Sequence, residues 1–250
     1  METLFIGQEK ISFENLDSTN AYLKQLCSEK VQVEGLTITA EYQTLGRGQI
    51  GNTWDSPKGQ NLLFSVLLRP NFLSPDRQFY LNMSVCLALN DTLNQFCSGF
   101  QIKWPNDILF DGKKVAGILI ENSISKNKIE NSIIGIGINV NQKDFGAEYG
   151  RTSLSKLLGN SVDRGFLLQR ICEKLEPRYL RLKSGSQGLF ADYYSSLYGY
   201  KQEVEAQING RVIVCSIVGV EPNGRLITEI KGKKKKFNFK EIKFLFPKSL

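Results

Sequence analysis

The run Gly46-Arg47-Gly48-Gln49-Ile50-Gly51 has the G-x-G-x-x-G spacing of a dinucleotide-binding turn. It follows a segment, Leu36 to Gln43, in which apolar and polar residues alternate as in a strand. What comes next argues against the corresponding fold. In a dinucleotide fold the third glycine opens a helix whose amino terminus holds the pyrophosphate, whereas Asn52-Thr53-Trp54-Asp55-Ser56-Pro57-Lys58-Gly59 continues as loop. The glycines therefore belong to a long, flexible loop that carries Arg47 and leaves through Trp54. Such a loop suits closure over an anionic ligand better than a rigid cradle. Nucleotide chemistry stays open, and a Rossmann dehydrogenase is disfavoured.

Histidine is absent from the 250 residues. This removes the usual general base and every Ser-His or Cys-His nucleophile system, so catalysis would rest on Lys, Arg, Asp, Asn or a metal. The cysteines, Cys27, Cys86, Cys97, Cys172 and Cys215, are odd in number and contain no C-x-x-C pair, so neither a disulfide frame nor a zinc site is encoded. No apolar run approaches the ~20 residues of a bilayer span. Met1-Glu2 does not begin like a signal peptide, and the cytoplasm is the expected location. Net charge is +7 and uneven: +2 over residues 1–185 (21 basic, 19 acidic) and +5 over 186–250 (11 basic, 6 acidic).

Ile11 to Leu16 reads as a strand running into Asp17-Ser18-Thr19-Asn20, whose small polar side chains cap a short helix through Leu26. The alternating stretch to Gln43 is a second strand. Leu62 to Leu68, almost wholly apolar and stopped by Arg69-Pro70, predicts a strand buried on both faces. Residues 77–97 lack Pro and Gly and keep helical spacing, which predicts one long helix. Ile102 to Trp104 and Asp107 to Phe110 flank Pro105-Asn106, Asp111-Gly112 turns a hairpin into Val115 to Glu121, and Ile129 to Val140 is a further strand. Asp163 caps a helix through Leu182 that Pro177 should kink or split, and residues 187–197 are helical again. From Glu203 onward, short strands punctuated by Asn209-Gly210, Pro222-Asn223-Gly224 and Lys231-Gly232 predict a small antiparallel barrel. The expected organisation is a domain over 1–200 and a second over 201–250.

Lys103-Trp104-Pro105-Asn106-Asp107 places a cation, an aromatic, a rigid turn, an amide and a carboxylate at the junction of two strands. Alone, such a motif is more often a solvated turn. The hairpin that follows, however, brings Lys114 back near Lys103, with small Ala116 and Gly117 leaving room beside it. Gly135 and Gly137 share one face of a β-branched strand, where either a ligand or a tightly packed helix approaches closely. Trp54 alone reads as simple core. Asp144-Phe145-Gly146 imitates a kinase motif, but the companion H-R-D is impossible without histidine, and the G-x-x-x-x-G-K-[ST] phosphate loop is absent.

Ser18-Thr19-Asn20, Gln43 to Gly48, Trp54, Lys103 to Asp107, Lys114 to Glu121 and Gly135 to Asn139, in this order and spacing, resemble the biotin protein ligases. The most specific part is K-W-P-N-D followed closely by K-V-A-G-I-L-I-E. The resemblance implies an α+β fold related to class II aminoacyl-tRNA synthetase cores, a mixed sheet flanked by helices, with a C-terminal SH3-like barrel. It implies that biotin and ATP, with Mg²⁺ on the nucleotide, give biotinyl-5′-AMP and pyrophosphate, after which a lysine of a biotin carboxyl carrier domain of a carboxylase takes the biotinyl group. By the same resemblance Lys114, Arg47, Lys103 and Asp107 are catalytic. Ser18, Thr19, Asn20, Gln43, Gly46, Arg47, Gly48, Lys114 and Gly117 bind biotin. Arg47, Gly48, Gln49, Trp54, Lys103, Asn106, Lys114 and Asn139 bind ATP, with Trp54 stacking on adenine. No dedicated metal cage is legible.

The family pattern commonly reads G-R-G-R with further basic residues, whereas Gln49, Ile50, Asn52 and Thr53 stand here, leaving Arg47 as the loop's cation. Looser loop order or weaker retention of the adenylate is expected. Only 17 residues precede Ser18, too few for the winged-helix domain of repressor members, so no sequence-specific DNA binding is expected. A homodimer is compatible with the pattern, and no membrane association is. Two competitors are a lipoate or octanoate ligase or transferase, whose pattern usually lacks W-P-N-D and the Trp54 loop, and a non-enzymatic nucleic-acid-binding module suggested by Lys233 to Lys236. A lysine run is more often a solvated strand edge, and the basic C-terminal part also suits steering of an acidic carrier.

Overall fold

The structure is a computed structural model that describes residues 2–49, 51–146 and 150–246. Ile50, inside the glycine run, lies outside the described residues.

The chain begins with strand β1 (Lys10–Leu16), helix α1 (Thr19–Glu29), and strands β2 (Thr37–Gln43) and β3 (Leu62–Leu68). A single 3₁₀ turn (Pro75–Arg77) leads into α2 (Phe79–Leu93). Then follow β4 (Phe100–Lys103), β5 (Asp107–Phe110), β6 (Lys113–Ser125) and β7 (Lys128–Ile138). These strands form a seven-stranded sheet in the order β1-β2-β3-β7-β6-β5-β4. β1 and β2 are parallel and the other neighbours antiparallel, which makes the sheet mixed, as expected.

β3 is buried along its whole length, and the alternation of its side chains divides the interior in two. Phe64, Val66 and Leu68 face the large core, shared with α2 and with α4 (Arg164–Ser184). Leu67 faces a smaller cluster with Leu23 of α1, Ile38 and Ile133. Helix α1 therefore covers the opposite face from α2 and α4. The short helices α3 (Leu154–Leu158) and α5 (Leu189–Ser196) complete the first part of the chain.

Two expectations are corrected. The long helix over 77–97 is a 3₁₀ turn followed by α2, because Pro75 stands at the start of the turn and the helical run ends at Leu93. Pro177 neither splits nor ends α4, which runs unbroken through it. Its neighbours Glu176 and Tyr179 are buried against the rest of the protein, so tertiary packing outweighs the lost backbone bond.

From Glu203 the chain forms a five-stranded antiparallel sheet of β8 (Glu203–Ile208), β9 (Arg211–Val220), β10 (Leu226–Ile230), β11 (Lys233–Phe237) and β12 (Lys243–Phe244) in the order β11-β10-β9-β8-β12, an SH3-like arrangement. Asn209-Gly210 and Lys231-Gly232 adopt positive φ, which a two-residue hairpin turn requires. This sheet docks on the first through Trp104. The indole is 2% exposed, donates its N–H to the Gly224 carbonyl at 2.9 Å, and packs 5.3 Å from the Phe239 ring.

Candidate active site

Strand register places the site in one row across the large sheet. Lys103 pairs with Asp107, Asp107 with Gly117, Gly117 with Gly137, and Gly137 with Leu63. The row one step along contains Ser65, Gly135 and Leu119. Side chains of paired residues share a face, so two charged residues stand at one end of a floor paved with glycine. Lys114 is out of phase with Gly117 by strict alternation. A register shift between Ile108 and Leu109 sets Leu109 opposite Lys114, and this bulge re-aims the lysine. Its Nζ reaches Asp107 Oδ1 at 2.6 Å, while Lys103 Nζ lies 3.2 Å from Asp107 Oδ2. The carboxylate, 13% exposed, thus sits between two ammonium groups.

The turn that carries Lys103 and Asp107 is held by neighbouring elements. Asn82 donates to the Pro105 carbonyl at 2.8 Å, Asn106 donates its amide to the Ile118 carbonyl, and Ile118 N–H returns a bond to Asn106 at 3.0 Å. Behind it, the Cys86 thiol is pushed far above its usual range by burial, with the Asp107 charge adding to the effect. It stays a neutral packing group.

At the other end of the floor, the amino terminus of α1 presents a polar cluster. The Ser18 side chain caps the helix by accepting from Ala21 N–H at 3.4 Å. Gln43 Oε1 accepts from Thr19 N–H at 2.7 Å and from the Thr19 hydroxyl at 3.0 Å. The Ser65 hydroxyl lies 2.7 Å from Thr19 Oγ1 and 2.6 Å from Asn20 Oδ1, and the Asn20 amide donates to Glu121 at 2.7 Å. Gly135 has a physical reason here, since a Cβ would collide with the Asn20 amide. Helix packing explains that glycine.

The glycine loop is a hairpin. Arg47 and Thr53 form a bridge, Trp54 N–H donates to the Gly46 carbonyl and Gly48 N–H to the Asn52 carbonyl, both at 2.9 Å. Gly46 must be glycine because a Cβ would strike the Trp54 carbonyl. The Trp54 indole lies on Gly117 and Gly137, where any Cβ would meet its ring atoms, with Lys114 Nζ 5.3 Å from the ring centre. Its Nε1–H is buried and has no partner. Arg47 reaches down to Glu121 at 3.1 Å.

These elements enclose a cavity of 510 Å³. The structure brings into its wall Ser18, Thr19, Asn20, Gln43, Arg47, Gly48, Gln49, Trp54, Lys103, Asn106, Asp107, Lys114 and Gly117 from the sequence-predicted set. Gly46 stands at the base of the hairpin, outside the wall. Asn139 is also outside. It is buried, and its amide donates to the Lys114 carbonyl at 3.3 Å and the Thr152 carbonyl at 3.1 Å, which places it as a support for the Lys114 backbone. Sequence reasoning missed four participants. Ser65 is the lone polar residue in Leu62 to Leu68, a signal that was available, and Glu121 ends the K-V-A-G-I-L-I-E segment. Lys240 and Lys243 reach the cavity from the C-terminal sheet, and no local pattern announces them. Lys233 to Lys236 instead form the exposed edge strand β11, with Lys236 paired to Glu221 at 2.6 Å. Among the described residues no three His, Cys, Asp or Glu side chains gather as a metal site, and no helix is long and apolar enough to cross a membrane.

Fold and cavity together define a glycine-floored site, capped by the Trp54 ring, with a neutral polar cluster at a helix amino terminus at one end and the cations Arg47, Lys103, Lys114, Lys240 and Lys243 in its wall. The chain belongs to the Biotin/lipoate A/B protein ligase family, whose model matches residues 12–139. It is 36% identical over 185 residues to the bifunctional ligase/repressor BirA of Bacillus subtilis, covering 72% of this chain and 56% of that protein. The chain thus spans about half the length of that relative. It is 28% identical over 221 residues to the biotin--[acetyl-CoA-carboxylase] ligase of Mycobacterium tuberculosis, covering 86% of this chain and 81% of that one. Among solved structures it resembles the biotin protein ligase of Aquifex aeolicus in complex with biotin and ATP, with a TM-score of 0.79, 28% identity, and coverage of 96% of this chain and 100% of that one.

Proposed function

We propose that this chain is an ATP-dependent biotin protein ligase that makes biotinyl-5′-AMP and passes the biotinyl group to a lysine of a biotin carboxyl carrier domain. The observation that carries the reading is the pairing, on one floor, of a neutral hydrogen-bonding cluster at α1 with the Lys103-Asp107-Lys114 triad. Biotin has the same two ends. Its cyclic urea offers a carbonyl acceptor and N–H donors, which suit Ser18, Thr19, Asn20 and Gln43, and its valeryl carboxylate extends toward Lys114. A lipoyl or octanoyl chain ends in apolar atoms, which would leave those polar groups without partners.

Adenylation brings a carboxylate against the α-phosphate. Two unit negative charges at 4 Å repel by about 4 kcal/mol at an effective dielectric near 20. Lys114 and Arg47 offset this where the carboxylate oxygen attacks phosphorus, and Lys103 stabilises the charge that builds on the departing pyrophosphate. Asp107 holds both ammonium groups in place without ligand and orients them when the substrate's negative charge arrives. Mg²⁺ enters with the nucleotide, because among the described residues the wall carries one carboxylate, Asp107, already shared by two lysines. Trp54, lying on the floor and carrying an unpartnered N–H, covers the acyl chain and offers its indole to the nucleotide.

The test is pyrophosphate exchange into MgATP with biotin, lipoate and octanoate side by side. Exchange with biotin alone is the expected result. Exchange with lipoate or octanoate in its place overturns the substrate, and no exchange with any acid overturns the adenylation chemistry.

A further inference from the structure

A second cavity of 130 Å³ adjoins the first. The two share Gln49, Pro105, Asn106, Ile118 and Leu119 as walls. They differ in charge. Among the described residues the large cavity is lined by five cationic side chains, Arg47, Lys103, Lys114, Lys240 and Lys243, against one lining carboxylate, Asp107, with Glu121 paired to Arg47 beside it. Among the described residues the small one has no charged side chain, and its polar groups are the amides of Gln49, Gln78, Asn82, Asn106, Asn122 and Asn223. Its outer rim is exposed at Gln78, Asn223 and Phe239. Across that rim Asn122 donates to Gln78 Oε1 at 3.1 Å. Its inner end is the Pro105-Asn106 turn that carries Asp107.

We propose that the small cavity is the entry channel for the acceptor lysine, separate from the mouth through which the nucleotide enters. The inference rests on the biotin ligase reading. The second half-reaction sets two opposed demands on one site, because the acyl phosphate needs cations around it, whereas the incoming lysine arrives as a cation. Through the large mouth its ammonium would enter a cavity lined by five like charges. Through the small cavity it meets amide oxygens, which accept N–H bonds without forming an ion pair that must break before the nitrogen can react. The lysine methylenes pack along Ile118, Ile120 and Phe239, as a long amphipathic side chain does.

At the inner end the ammonium gives one proton to water. The neutral nitrogen attacks the acyl carbon, and a C–N bond forms. The bond from that carbon to the phosphate oxygen breaks, its electron pair leaves on AMP, and the nitrogen's second proton passes to solvent. Gln49 stands in both walls and is neutral, so the junction presents no charge to the amine.

The experiment plugs the rim with Gln78→Trp at the N-cap of α2 and, separately, with Asn223→Trp in the turn between β9 and β10. Neither residue lines the large cavity. Biotin-dependent pyrophosphate exchange, and discharge of the preformed adenylate by hydroxylamine, are expected to stay within about twofold of the parent. Single-turnover transfer to a saturating carboxyl carrier domain, and to n-butylamine as a lysine arm without a docking surface, is expected to fall about 30-fold. Parental transfer rates in both variants overturn the channel. So does slowed transfer to the carrier with unchanged transfer to butylamine, which would mark Gln78 and Asn223 as docking contacts. A parent chain without biotin-dependent exchange removes the ligase reading itself, an outcome separable from either of these.

Discussion

Lys103-Trp104-Pro105-Asn106-Asp107 and the hairpin from Gly46 to Trp54 both line the cavity, yet they are held in different ways. In the first, the residues are tied to different parts of the protein: Trp104 to Gly224, Pro105 to Asn82, Asn106 to Ile118, and Asp107 to Lys114. The hairpin closes mostly on its own backbone. Its outward reach is the Arg47 contact with Glu121, in which the arginine side chain is 44% exposed, and the Trp54 ring on the glycine floor. Charges that act on the reacting atoms gain from being fixed in advance. Groups that admit and then cover a ligand gain from being weakly tethered.

The largest effect should come from the fixed turn. Trp104→Ala removes a buried indole and its bond to Gly224, at a cost of about 4 kcal/mol. The urea midpoint should fall accordingly, with the C-terminal sheet loosened first. A change below about 1 kcal/mol would show that the turn is not what joins the two sheets.

Next are the charges the turn holds. Lys114→Ala should lower biotin-dependent pyrophosphate exchange by about 10³-fold, in line with loss of a preorganised electrostatic contact. Asp107→Asn, which keeps the shape but loses the charge, should cost both half-reactions about tenfold, because the two ammonium groups lose their common anchor. Unchanged half-reactions in the second variant would remove Asp107 from the mechanism.

The hairpin's apolar contact should give a middle effect. In Gly137→Ala the new methyl group meets the Trp54 ring, so the indole must leave the floor or strain the sheet, costing about 1–3 kcal/mol. With Trp104→Phe as background, Trp54 is the remaining tryptophan, and its emission should shift to the red. Unshifted emission would mean that the ring does not rest there.

How much of this was legible in the sequence follows the same division. β3 was readable to the residue because a run buried on both faces has no polar position to blur its ends. The K-W-P-N-D turn and Lys114 were legible because strand pairing across Asp111-Gly112 is local. The bulge that turns Lys114 toward Asp107 was not, since it exists only in the register between two strands. The split expected at Pro177 does not occur because the packing that keeps α4 continuous is tertiary. The hairpin form of the glycine loop, and the arrival of Lys240 and Lys243 from a different sheet, depend on contacts that no short window contains.

The smallest predicted effect on stability distinguishes the two regions most sharply. Arg47 is half-exposed, and its pair with Glu121 at 3.1 Å is of the kind that contributes less than about 1 kcal/mol. Arg47→Ala should therefore leave the urea midpoint almost unchanged, while pyrophosphate exchange falls about 10²-fold if Arg47 supplies a cation to the attacked phosphate as proposed. Glu121→Gln serves as the control, since it frees Arg47 while keeping an acceptor for Asn20. If Arg47 must leave Glu121 to meet the nucleotide, this variant should keep its stability and show a lower KM for ATP. If Arg47→Ala instead loses stability in proportion to activity, the hairpin is as rigidly built in as the turn beside it, and the contrast between the two loops fails.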